Sequence, residues 1–107
     1  MTIYGPNDAS IGDNIYQFPT LTAPGSTAAV EVNGLHLTFI CVVTGGDITW
    51  EIEGSHDGTN WASLDPAKTK AVGSHADYYA GYVVRYVRVT TITQAAGRTL
   101  SVSMGVA

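Results

Sequence analysis

Apolar and polar residues alternate strictly from Ile48 to Glu53, with Ile48, Trp50 and Ile52 pointing one way and Thr49, Glu51 and Glu53 the other. A period of two marks a strand with one dry face and one wet face. The alternation returns between Arg98 and Val106, where Leu100, Val102, Met104 and Val106 share a side. Leu35 to Thr44 is nearly all apolar or β-branched, which predicts a central strand buried on both faces. Val83 to Ile92 reads as a long strand by composition, and Ala76 to Tyr82 as a strand carrying three tyrosines. Ala28 to Val32 runs into Asn33-Gly34, a pair that accepts positive φ and so predicts a hairpin to the next strand. Ser63 to Lys70 reads as a polar connection with room for one helical turn at most. Nowhere do apolar residues recur at helical spacing over three turns. The pattern predicts an all-β fold: an antiparallel β-sandwich of seven to eight strands, immunoglobulin-like or jelly-roll.

Residues 1 to 26 follow a different rhythm. Gly5-Pro6, Gly12-Asp13-Asn14, Pro19 and Pro24-Gly25 interrupt them every few residues, which denies them a helix or a long strand. Ile11, Ile15, Tyr16, Phe18 and Leu21 lie between these breaks and need cover. Two readings fit: an N-terminal arm (1–26) that docks on its own sandwich (27–107) or on a neighbouring subunit, and an irregular first strand of the same sandwich. On the arm reading, removing residues 1–20 leaves a folded domain.

The strand at Ile48 continues through Glu53-Gly54-Ser55-His56-Asp57-Gly58-Thr59-Asn60-Trp61, predicting a strand, a tight loop and a returning strand. Trp50, Gly54, Asp57, Gly58, Asn60 and Trp61 are its structural positions, and both tryptophans are expected in or over the core. Asp57-Gly58 supplies the positive-φ turn and Asn60 bonds its own backbone. Glu53, Asp57 and Asn60 lack the fixed offsets of a calcium loop. Glu51 and Glu53, roughly 7 Å apart along one strand, read as a solvated face in preference to a glycosidase pair. His36, His56 and His75 show no zinc-ligand spacing. No catalytic residue, metal or cofactor is therefore expected.

Composition narrows the function classes. Charged residues make up 13% of the 107, about half the usual share, so much of the surface must be hydroxyl, amide, glycine and tyrosine. The net charge of −4 and five scattered basic residues argue against nucleic-acid binding. No apolar run approaches a membrane span of about 18 residues, and Met1 to Pro6 lacks the basic start and apolar centre of a leader. The single Cys41, inside Leu37 to Val43, reads as a small core side chain. Of the neighbours Tyr78 and Tyr79 at least one must face outward, and with Tyr82 they are expected at an interface, because interface centres enrich tyrosine and lose charge.

Several of these pieces together resemble small β-sandwich structural proteins of tailed-phage virions. They are the strand ending Thr44-Gly45-Gly46, the hairpin Glu53 to Trp61, the segment Arg85-Tyr86-Val87-Arg88-Val89 and the alternating last strand. The hairpin is the most specific part, although His56 stands where Asn or Leu is usual. The Arg85 to Val89 strand also occurs in discoidin-like and carbohydrate-binding sandwiches. The resemblance implies a non-enzymatic virion protein, a capsid decoration or cement subunit on the outside of the shell, or a tail component. Its partners would be its own copies, with a trimer favoured, and the major capsid protein or another virion protein. A carbohydrate-binding sandwich using exposed aromatics is the alternative.

Overall fold

A computed structural model of the chain describes residues 10–12, 15–32, 36–80 and 84–107, with side chains from residue 15 onward apart from Ala80. Among these residues every regular element is a strand: β1 (Ser10–Gly12), β2 (Ile15–Gln17), β3 (Gly25–Ser26), β4 (Val30–Glu31), β5 (His36–Thr44), β6 (Ile48–Ser55), β7 (Ala62–Ser63), β8 (Lys68–Lys70), β9 (Gly73–Ala80), β10 (Tyr86–Gln94) and β11 (Thr99–Val106). They form two antiparallel sheets packed face to face. The first, sheet A, runs β1-β2-β11-β5-β9; the second, sheet B, centres on β10 and β6.

Eleven segments exceed the seven or eight strands expected because several are pieces of one strand. β3 and β4 lie end to end along β10, and β7 and β8 lie end to end along β6. The Ser63 to Lys70 stretch, expected as a connection, thus supplies a broken edge strand. Counting each interrupted strand once leaves eight and the short extra β1. First pairs with eighth (β2 with β11), second with seventh (β3/β4 with β10), third with sixth (β5 with β9) and fourth with fifth (β6 with β7/β8). A long antiparallel ribbon rolled so that successive pairs alternate between two sheets gives this order, and the result is a jelly roll.

That topology overturns one local reading. Asn33 and Gly34 lie outside the described residues, but the strands on either side of them do not pair. β4 belongs to sheet B and β5 to sheet A, so these two strands do not form a hairpin. Non-local pairing with β10 and β11 outweighs the turn preference of two residues.

The core is the slab between the sheets. Trp50, Phe39, Leu37, Ile48, Ile52, Val87, Val89, Leu100 and Met104 are all fully buried in it. β5 alternates without a break, Leu37, Phe39, Cys41 and Val43 inward and His36, Thr38, Ile40, Val42 and Thr44 outward. The expectation of a strand buried on both faces is therefore wrong: β5 is central in its sheet, yet nothing among the described residues covers its outer side. Cys41 is buried as expected, and desolvation, helped by the negative charge of Asp77, pushes its thiol up to about 12. The Lys68 ammonium on β8 meets the Asp77 carboxylate on β9 at 2.7 Å, tying the open edges of the two sheets together.

Residues 15 to 26 are woven into both sheets. β2 pairs with β11, Leu21 bridges Leu100, and β3 pairs with β10. Phe18 is 1% exposed, and its amide donates to the Val102 carbonyl at 2.9 Å. Residues 15–26 thus pair with strands of both sheets, and the Thr27 amide continues the bonding to β10 past residue 26. Residues 1–9, 13 and 14 lie outside the described residues. Phe18→Ala should cost about 3–5 kcal/mol, as large core deletions do. Deleting residues 1–20 should abolish the cooperative melting transition; a truncated chain melting like the parent would restore the arm reading.

Candidate functional site

The outward side chains divide the molecule into two unlike faces. Outside sheet B stand Glu31, Glu51, Glu53, Arg85 and Arg88. Arg88 Nε donates to Glu53 Oε1 at 2.6 Å, Thr90 Oγ1 donates to the same oxygen at 2.7 Å, and Arg85 pairs with Glu31 at 2.9 Å. A hydrogen bond to Glu53 raises the pKa of Glu51. For Glu53, burial pushes the other way but is outweighed by hydrogen bonds from Glu51, Thr90 and Arg88, so its pKa falls. Trp61 belongs to this network. It is half-buried, with the Arg88 guanidinium 4.2 Å over its ring. The expectation that Trp61 is largely buried over the end of the core is corrected: it is half-buried and covers an ion pair on the wet face, while Trp50 is the buried tryptophan.

The loop at the end of β6 is built by short polar bonds. Asp57 Oδ1 accepts from the amides of Thr59 and Asn60 at 2.9 and 2.8 Å and from Ser55 Oγ at 3.0 Å, and Oδ2 accepts from Asn60 Nδ2 at 2.7 Å. Gly58 holds φ +78° and packs beside the Tyr86 ring, where a side chain would be strained. Gly54 leaves room for its neighbours: a methyl group there would meet the side chains of Leu64 and Val84 at 2.8 and 2.9 Å and push them aside. The pairs Glu53–Ser63 and Gly54–Ala62 close the hairpin. Among the described residues no three His, Cys, Asp or Glu side chains come together as a metal site. The carboxylate of Asp57 is spent on its own loop.

Sheet A presents the opposite character. Its outward positions are Ile15 and Gln17 on β2, Thr99, Ser101, Ser103 and Gly105 on β11, the even-numbered residues of β5, and Ser74, Ala76 and Tyr78 on β9. Not one of these described positions is Asp, Glu, Lys or Arg, and Ile15, Ile40, Val42 and Tyr78 are large apolar groups in water, Tyr78 60% exposed. A depression of about 480 Å³ lies toward one end, lined by Ile15, His36, Thr38, Tyr78 and Gly105 together with Val106 and Ala107. At its rim His36 Nδ1 and Tyr78 Oη are hydrogen-bonded at 2.7 Å. Their ring planes lie within 12° of parallel with centroids 6.1 Å apart, so two nearly parallel aromatic rings stand at this rim.

No known family matches the chain, and no curated protein does. The face itself must therefore carry the functional argument.

Of the residues expected at an interface, the structure brings Ile15 and Tyr78 together on this face. Tyr79 points inward and is buried, so the neighbouring tyrosines do split between faces. Phe18 is core, and Tyr16 and Leu21 are partly buried against it. The side chain of Ile11 and all of Tyr82 lie outside the described residues. Ile40, Val42 and His36 were missed. Reading β5 as buried on both sides hid the first two. The signal that finds them is on β11, whose outward series Thr99, Ser101, Ser103, Gly105 is small and uncharged yet alternates like a half-exposed strand.

Two measurements check these placements. Trp50→Ala should cost about 3–5 kcal/mol, whereas Trp61→Ala, which loses a cation–π contact and partial cover, should cost about 1–2; equal losses in chemical denaturation would contradict the division. Backbone and side-chain donors around Asp57 hold its carboxyl well below the usual carboxylate range. The ionised loop contributes stability above the unfolded pKa of about 4, lost only as pH falls through the lower folded value. Amide exchange at Thr59 and Asn60 should therefore stay slow at pH values where a free aspartate is half protonated, and Asp57→Ala should remove that protection.

Proposed function

We propose that this protein is a non-enzymatic structural protein of a virion, a capsid decoration or cement subunit that attaches outside the shell and stabilises it by subunit contacts. The uncharged outer face of sheet A carries the reading. A continuous sheet surface with Ile15, Ile40, Val42 and Tyr78 exposed and no Asp, Glu, Lys or Arg among its described residues suits burial against protein, because interface centres are depleted in charge and enriched in aromatic side chains. The charged network of sheet B is then left facing solvent. The jelly roll is consistent with this reading, since shell proteins and lectins both use it, though a fold by itself names no function. Electron microscopy of the particle made with this chain should show a jelly-roll domain outside the shell with sheet A buried, and Ile40→Asp should strip it. Purified particles lacking the chain would refute the proposal.

One observation favours a second reading, a carbohydrate-binding module. The hydrogen-bonded His36–Tyr78 pair offers exposed aromatic rings, nearly parallel, beside hydroxyl and apolar groups, and a neutral sugar ring stacks on such chemistry. Calorimetric titration with neutral oligosaccharides, with Tyr78→Ala as control, tests it.

A further inference from the structure

We infer that β9, the long free edge of sheet A, pairs with β9 of a second copy and joins two sandwiches side by side about a two-fold axis. The contact uses the edge of the sheet and leaves its outer face open, so it holds whether that face meets a shell, a sugar or water.

The four sheet edges are not alike. Sheet A ends in β1 and β9, and sheet B in β3/β4 and β7/β8. β1 is three residues long with a shifted register, and β3, β4 and β7 are two residues each. β8 is three residues with a lysine at either end. Short, broken and lysine-bearing edges are how sheets avoid pairing with other chains. β9 has none of these features. It runs eight residues, pairs with β5 without a register shift, and holds no proline or lysine. Among the described residues no strand pairs with its other side.

Backbone geometry says what that edge offers. The His36 amide donates to the Ala107 carbonyl at 3.1 Å, and the Ala107 amide donates back at 2.9 Å, so the backbone groups of His36 point to β11. Bond direction alternates along a strand. Leu37, Phe39, Cys41 and Val43 are thereby turned toward β9, where they oppose Tyr79, Asp77, His75 and Gly73. Those four β9 residues bond to β5. The amides and carbonyls of Ser74, Ala76 and Tyr78 point off the sheet, and no other described segment reaches them with a backbone bond.

The sequence of β9 selects the occupant and its register. Two antiparallel copies must set these outward-bonding residues against one another, and two registers do so while leaving only one residue of the strand unpaired. The first places the axis at Asp77 and puts two carboxylates directly opposite, which is destabilising. The second places it at Ala76. Ala76 then faces its own copy, Ser74 faces Tyr78 on the outer side, and each Asp77 faces His75 of the second copy, whose imidazole can carry the complementary charge. β9 is thus compatible with itself read backwards, as a two-fold contact requires. Three bonded pairs exchange roughly six backbone hydrogen bonds over little area, so the dissociation constant should be on the order of 0.1 mM.

The test is sedimentation and amide exchange of the full chain from micromolar to near-millimolar concentration. The expected result is a mass rising toward twice that of one chain. The Ser74, Ala76 and Tyr78 amides should exchange fast when dilute and several-fold slower when concentrated, while those of His75, Asp77 and Tyr79 stay slow throughout. Ala76→Pro removes the central outward donor and leaves the ladder to β5 intact, a position where edge strands accept proline. It should weaken pairing by roughly a hundredfold, and Ala76→Ser should pair like the parent. Ala76→Cys should form a symmetric disulfide on mild oxidation, because the two Cα atoms stand about 5.5 Å apart and Cys41 is buried. A chain monomeric at every concentration, an Ala76→Pro variant pairing like the parent, or edge amides already slow when dilute would each overturn the inference. Edge amides slowed by a different protein and never by more of the same chain would also overturn it, and pairing without a cross-link at Ala76→Cys would overturn the register. Should Ala76→Pro fail to fold, the exchange pattern of the parent decides alone.

Discussion

The register of β5 against its neighbours is the constraint on which the other features depend. Both faces of β5 are rich in apolar groups: Leu37, Phe39, Cys41 and Val43 on one, Ile40 and Val42 on the other. A slip of one residue would exchange them, and β5 alone offers little reason to prefer either. β11 decides. Its pairing sets Leu100, Val102 and Met104 beside Val43, Cys41 and Phe39, with Ser101 and Ser103 beside Val42 and Ile40. The strand with an unambiguous pattern fixes the ambiguous one, and Ile40 and Val42 are left outside as the price of a filled core.

That choice creates the division of labour between the sheets. Sheet B keeps its wet face in the ordinary way, with carboxylates, arginines and Trp61 bonded to one another. Sheet A keeps a face that is neither core nor ordinary surface. Such a surface is unfavourable for an isolated copy in water and favourable in an assembly, and both functional readings draw on it. Outward Ser and Thr on flanking strands lessen the apolar character without adding charge, which suits a contact that must form without desolvating ions.

The hairpin from Glu53 to Trp61 was legible because its causes are local. Ser55, Asp57 and Asn60 bond within the loop, and Gly58 holds the positive φ its neighbours demand. The same reasoning failed at Asn33-Gly34, since a two-residue preference does not say which strand the next strand will meet. Trp61 was misplaced for a related reason: sequence position puts it at the end of a hairpin, whereas its environment is set by Arg88, distant in sequence but adjacent across the sheet.

By itself the sequence determined the class of fold, the alternation of β6 and β11, the buried Trp50 and Cys41, and the turn at Asp57-Gly58. Each follows from the period of the side chains or from bonds a few residues long. Tertiary structure decided the rolled order of the strands, the inclusion of Phe18 and Leu21 in the sandwich, and which side of β5 faces water. Those outcomes depend on which distant strands share the core, a choice made by the summed burial of both sheets. Ile15, Ile40, Val42 and Tyr78 lie on three strands far apart in sequence, β2, β5 and β9, and the pairing of these strands with β11 and one another is what makes them one surface.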